Sequence, residues 1–274
     1  MNAVDLQFAN RSEVVDGSLF SFESPLSERA RSWLRLEELF LRARTYIGRI
    51  DAMDHRAALI CMFDIVDTAT RIDVKTDLIS ELDRQRSIWA AQLQNPDVAT
   101  GALNEFLADL DVIVRDLHSQ YGKVGQHLRD SEWLQAVRQR ASTPGGASAF
   151  EIPMLHSWMS QRQTERQIQL RTWFEPLATL EEGVLLILKL LRDSGQWSSE
   201  SAIGGTFHRS LSARRAPLLA VITVEALLGV VPEVTANKYA VNVRFLAHHG
   251  AFVEAARAPP CVRDTPFRLA LCSL

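Results

Sequence analysis

The sequence predicts an α+β fold, an N-terminal helical bundle domain followed by a C-terminal antiparallel β-strand domain. Three observations carry that expectation. Apolar residues recur at three- and four-residue steps through the first two thirds of the 274 residues. From about residue 202 the composition turns to Val, Ile, Thr and Phe, punctuated by Gly and Pro. The formal charge also changes sign there: residues 202–274 hold eight Lys/Arg against four Asp/Glu, a net of +4, so the whole-chain value of −3 leaves −7 for the rest. The expected organisation is a mobile N-terminal extension over 1–18, a mainly helical domain over 19–200 and a β-strand domain over 201–274, with a segment near 19–23 adding a strand.

The first helix runs from Leu26 through Ala30, Trp33, Leu34, Leu36, Phe40, Leu41 and Ile47, after Ser24-Pro25 and Ser27, which suit a cap and first turn. A second starts near Asp54 and carries Leu59, Met62, Phe63 and Val66. A third starts near Val74 and carries Leu78, Leu82, Ile88, Trp89 and Leu93; Asn95-Pro96 stops it. The fourth holds Leu103, Phe106, Leu107, Leu110, Val114 and Leu117 and closes at Tyr121-Gly122. Consecutive amphipathic helices with short joins make a bundle. A short basic helix, Glu132 to Ala141, leads into a reversal at Pro144-Gly145-Gly146. Thr179 followed three residues later by Glu182 reads as a capping box, with Glu181 and Glu182 as first-turn charge. The helix it opens, Val184 to Leu191, is apolar on nearly every side and belongs at the bundle centre, ending at Ser194-Gly195. The clearest strand is Lys238 to Phe245, where Tyr239, Val241, Val243 and Phe245 alternate with Lys238, Ala240, Asn242 and Arg244.

Composition excludes several classes of function. With 47% hydrophobic and 23% charged residues the chain is an ordinary globular one. A pI near 6.2 argues against a whole-molecule grip on nucleic acid or anionic membrane. Cys61, Cys261 and Cys272 are widely spaced and form no CxxC pair, which indicates a reducing cytosol rather than a disulfide framework or metal site. Met1 to Val15 lacks a basic region before an apolar core, so no secretory signal is expected. The apolar windows at Val184–Leu191 and Pro217–Pro232 fall short of the roughly 18 residues a membrane span needs.

Catalytic signatures are missing: there is no phosphate-binding, dinucleotide, metalloprotease or serine-elbow motif. No enzyme, cofactor or metal is expected. Gly122-Lys123-Val124-Gly125 reads as an interhelical loop, His248-His249 as a solvated turn and His156 as a hydrogen-bonded packing histidine. Arg138, Arg140, Arg214 and Arg215 could contact phosphates, which makes nucleic-acid binding the alternative reading. Lys238 and Arg244 share one strand face and form a cationic patch suited to an extended acidic and apolar peptide.

Ordered blocks of the chain resemble the ZapD family of bacterial division factors, which bind FtsZ, the tubulin-like division GTPase. The blocks are Phe22 to Leu26 with Arg31 to Glu37, Glu81 to Gln85, Gly125-Gln126 through Val137 to Arg140, Pro144 to Gly146, Phe150, Pro153, Leu155-His156 and Trp158, and the strand ending at Phe245. The resemblance implies a non-enzymatic, cytoplasmic homodimer at the midcell division site that holds the FtsZ C-terminal tail in a basic pocket and bundles FtsZ filaments. It implies Arg71, Lys238 and Arg244 as pocket residues. Where the family pattern has a further arginine this chain has Ala240, so either affinity is lower or Arg214, Arg215 or Lys75 compensates. The stretch from 247 to 266 has no match, whereas Phe267 to Cys272 resembles the family's final strand.

Overall fold

The computed structural model describes residues 18–71, 73–95, 100–120, 122–141, 143–144, 148, 150–211, 216–237, 239–247 and 259–274. The extension expected to be mobile lies outside them except for Ser18, as do Gly145 and Gly146 of the expected reversal. The chain divides into two compact units. One is Ser32–Ile187; the other runs up to Arg31 and resumes at Leu188–Leu274. Both cuts fall inside helices, α1 (Glu28–Gly48) and α8 (Gln163–Asp193), rather than at the change of composition near residue 200.

The helical unit follows the apolar periodicity. Ser27 Oγ accepts the Ala30 N–H at 3.2 Å and so caps α1. Helices α2 (Ala52–Arg71), α3 (Val74–Ala91) and α4 (Thr100–Ser119) come next, followed by α5 (Gln126–Arg129), α6 (Glu132–Ala141) and α7 (Pro153–Met159). Trp33, Phe40, Met62, Leu78, Leu82, Leu110 and Leu117 are fully buried, as an inward stripe requires. Gly183 lets α8 approach its neighbours closely, since a Cβ there would stand 2.8 Å from Leu78 Cδ2 and 3.1 Å from Leu117 Cδ1.

Two sequence expectations are corrected here. Thr179 caps nothing, because α8 is a single 31-residue helix that begins at Gln163 and runs through Pro176. Buried Leu170, Phe174, Leu177 and Leu180 continue its inward stripe upstream of the supposed start. Glu181 is therefore not first-turn charge. Its side chain is 1% exposed and accepts a fork of two bonds from Arg44 of α1, Nε to Oε1 at 2.6 Å and Nη2 to Oε2 at 2.5 Å. That hydrogen bond holds the Arg44 guanidinium above its ordinary value against partial burial. The packing histidine is likewise not His156, which is exposed on α7, but His55. His55 Nδ1 accepts from Arg166 Nε at 3.0 Å, so the ring's hydrogen is on Nε2, which donates to the Arg49 carbonyl at 2.8 Å. Buried Arg166 also donates to the carbonyls of Met159 at 3.0 Å and Ile50 at 3.2 Å, and to that of Gln161.

The strand unit holds β1 (Leu19–Pro25), β2 (Gln196–Ala202), β3 (Thr206–Ser210), β4 (Leu219–Glu225), β5 (Val230–Ala236), β6 (Ala240–Ala247) and β7 (Thr265–Cys272). The expected single sheet is two antiparallel sheets, ordered β1-β4-β7-β2 and β3-β6-β5. Gly204 and Gly205, at φ 54° and 75°, turn the chain from one sheet to the other between β2 and β3. A Cβ on Gly205 would lie 2.0 Å from the Cys261 carbonyl oxygen, so only glycine fits that crossing. The sheets share one core, in which Ile222, Val224, Phe267 and Leu269 meet Val241, Val243 and Phe245. The Phe207 and Phe245 rings each approach Phe267 edge-on at 5.2 Å. Arg192, near the end of α8, grips Glu23 of β1 through Nε at 2.6 Å and Nη2 at 2.8 Å.

These contacts set two expectations. Gly125, at φ 71°, has Val66 Cγ2 2.1 Å from where a Cβ would stand, whereas Gly122, at φ 88°, faces open space. In urea unfolding, Gly125→Ala should cost about 2–4 kcal/mol and Gly122→Ala about 1 kcal/mol, since only the first adds overpacking to backbone strain. Arg44→Met strands the buried Glu181 carboxylate and should cost about 1–3 kcal/mol, less than a fully buried pair because Arg44 is half exposed. Adding Glu181→Leu should recover most of that loss, which a double-mutant cycle measures.

Candidate functional site

β6 builds the candidate site by alternation. Val241, Val243 and Phe245 point into the shared core, so Asn242 and Arg244 face outward with Ala240. The strand register then sets their neighbours. Arg244 lies between Thr206 of β3 and Glu233 of β5, and the next rung sets Asn242 between His208 and Thr235. Together with Phe207 and Val243, these residues line a groove of about 520 Å³ on the outer face of the three-stranded sheet.

Its electrostatics rest on few groups. Arg244 Nη2 stands 3.5 Å from Glu233 Oε2, with both side chains more than 40% exposed. A pair that long and that wet contributes little and leaves the guanidinium available. Arg244 Nε is covered and has no hydrogen-bond partner among the described residues. Across the next rung His208 Nδ1 bonds Asn242 Oδ1 at 2.7 Å. Arg209 points the other way, over the Phe207 ring, with its guanidinium bonded to Glu200 and to Ser198 Oγ at 3.1 Å. Among the described residues the face therefore offers one loosely held cation, one imidazole and a row of hydroxyl and amide groups. Such a surface can bind a carboxylate-bearing extended chain.

The sequence-predicted residues are distributed as follows. Arg244 lines the groove. Arg71 is the exposed last residue of α2 and belongs to the helical unit. Lys238, Arg214 and Arg215 lie outside the described residues, as does the His248-His249 pair. Lys75, named as a compensating cation, donates to the Gln120 carbonyl at 2.5 Å. Of the expected pair of like charges only Arg244 is described, and its described charged neighbour is Glu233. Sequence reasoning missed Glu233, Thr206 and His208. Thr206, His208 and Ser210 do alternate with Phe207, Arg209 and Leu211 after the Gly-Gly turn, but nothing local says that this stretch pairs with β6.

Of the four arginines of the nucleic-acid reading the two described ones carry carboxylate partners: Arg138 pairs with Asp67, and Arg140 with Glu151 at 3.2 Å. Burial pushes the Cys61 and Cys272 thiols up to about 11, which makes them poor nucleophiles. Among the described residues no cluster of three or more metal-ligating side chains occurs. No described helix is long and apolar enough to cross a membrane.

Comparison with known proteins gives a consistent result. The ZapD family model, described as a cell division protein, matches residues 34–244 and so ends on Arg244. Proteins named Cell division protein ZapD from Aromatoleum aromaticum, Azoarcus sp. and Nitrosomonas eutropha are each 38% identical over 256 residues. Each alignment covers 93% of this chain, and 98%, 100% and 100% of the respective relatives.

Because the Arg244–Glu233 pair is exposed, Arg244→Ala should change folding stability by less than about 1 kcal/mol. Chemical denaturation checks this, and a larger loss would make Arg244 a structural residue rather than a binding one.

Proposed function

The chain belongs to the ZapD family of cell division proteins, and from that membership we propose that it binds the C-terminal tail of FtsZ and crosslinks FtsZ filaments at the midcell division site. The observation that carries the proposal is the groove over β3, β6 and β5, where the contact of Arg244 among the described residues is a long, exposed one to Glu233. A carboxylate of the tail displaces Glu233 and takes the guanidinium in a closer, charge-assisted bond. Lys238, Arg214, Arg215 and Arg71 are the further cations this reading draws on.

The protein acts as a cytoplasmic homodimer, paired through its helical domain, with the β-strand domain holding the tail. A twofold axis presents two equal grooves, so one dimer engages two filaments. Each contact can be weak, because the many tails of a filament supply a high effective concentration. No turnover is involved, in keeping with relatives whose names are those of division proteins rather than enzymes.

Sedimentation with FtsZ polymers, with and without the tail, tests this. Wild type should pellet and bundle only tailed polymers, less so at high salt. Arg244→Ala should weaken tail binding by about tenfold, and Glu233→Gln, which removes the competing carboxylate, should strengthen it several-fold. Normal bundling by Arg244→Ala at both low and high salt would remove the groove from the account.

A further inference from the structure

The groove holds a second potential cation that a count of Lys and Arg does not register. His208 stands on the rung next to Arg244, and its Nδ1 bonds Asn242 Oδ1 at 2.7 Å. An amide oxygen only accepts, so Nδ1 carries a hydrogen, and it is Nε2 that has the lone pair whenever the ring is neutral. That bond fixes the tautomer and the ring plane without using Nε2. Beyond it the Ser210–Ala240 rung carries only small side chains.

Among the described residues, the charged groups facing His208 are few. β6 contributes Arg244 and β5 contributes Glu233; Thr206, Ser210, Asn242 and Thr235 are neutral, and Arg209 belongs to the opposite face with Glu200. Among the described residues the two fixed charges of this face, Arg244 and Glu233, offset each other. A protonated imidazole beside them adds positive charge that an anionic ligand can meet, and imidazole is the side chain that ordinarily changes charge between about pH 5 and 8. Spacing favours one ligand over both groups. Arg244 and the Asn242–His208 rung are two residues apart along β6, about 7 Å, which is the repeat of same-face side chains in an extended chain.

Resting on the tail-binding reading, we propose that His208 is a proton-coupled second anion contact, which takes one proton from solvent onto Nε2 as an acidic, extended peptide seats a carboxylate there beside the one held by Arg244. The complex favours the charged ring. Linkage then makes binding tightest below the pH at which the free ring titrates, and the gain is lost as pH rises through the titration of the bound ring.

The test is calorimetric titration of the full chain with a synthetic FtsZ tail peptide, in two buffers of different ionisation enthalpy and across about pH 6 to 8. Wild type should take up a proton fraction and bind about fivefold more tightly at the acid end. His208→Gln, an exposed replacement that keeps a polar side chain, should bind with a flat pH profile and no proton uptake, whatever its absolute affinity. Binding by His208→Gln with the wild-type pH profile would overturn the inference and leave tail binding standing. A wild type that does not bind the peptide at all would overturn both.

Discussion

Burying Val241, Val243 and Phe245 determines what the other side of β6 can be. All three are at most 1% exposed, and each contributes on the order of 1.5–3 kcal/mol by leaving water. Slipping the strand by one residue would exchange them for Asn242 and Arg244, exposing the apolar set and burying an amide and a guanidinium. The register is therefore locked by the core, not by the groove. The same register brings Glu233 beside Arg244 and His208 beside Asn242, so the make-up of the groove follows from packing on the opposite face.

The arginines of this chain divide by what surrounds them rather than by how many there are. Arg166 is buried against carbonyls and His55, Arg44 is forked onto Glu181, and Arg138 and Arg140 are tied to carboxylates of the helical unit. Those bonds tie helices to each other and to the turns between them. Among the described residues Arg244 is held by one long ion pair in an exposed groove, a loose hold of the kind that suits a transient partner. A charge tally weights all of these equally, although a buried or forked guanidinium is energetically committed.

The helices and the alternation of β6 were legible because periods of 3.6 and 2 are local signals. Ser27 as a cap and Glu132–Ala141 as a helix follow from residues within a few positions of one another. What failed was also local. The Thr179–Glu182 pattern imitates a helix start, but the apolar stripe from Leu170 onward carries α8 straight through it. Pairings across many residues left no such trace: Phe22 lies opposite Ile222, and His208 opposite Asn242, because of a chain path that no short window contains. The alternation of β6 and the resemblance to division factors both point to Arg244, yet only the strand order shows which side chains of β3 and β5 share its face.

Membership in the ZapD family and the geometry of the groove meet in one claim, that the outer face of β3, β6 and β5 holds an acidic tail. The most direct measurement is amide hydrogen exchange of the full chain with and without saturating FtsZ tail peptide. The account predicts added protection concentrated in Thr206–Ser210, Val230–Ala236 and Ala240–Ala247. Protection confined to the helical unit, with these three strands unchanged, would contradict it.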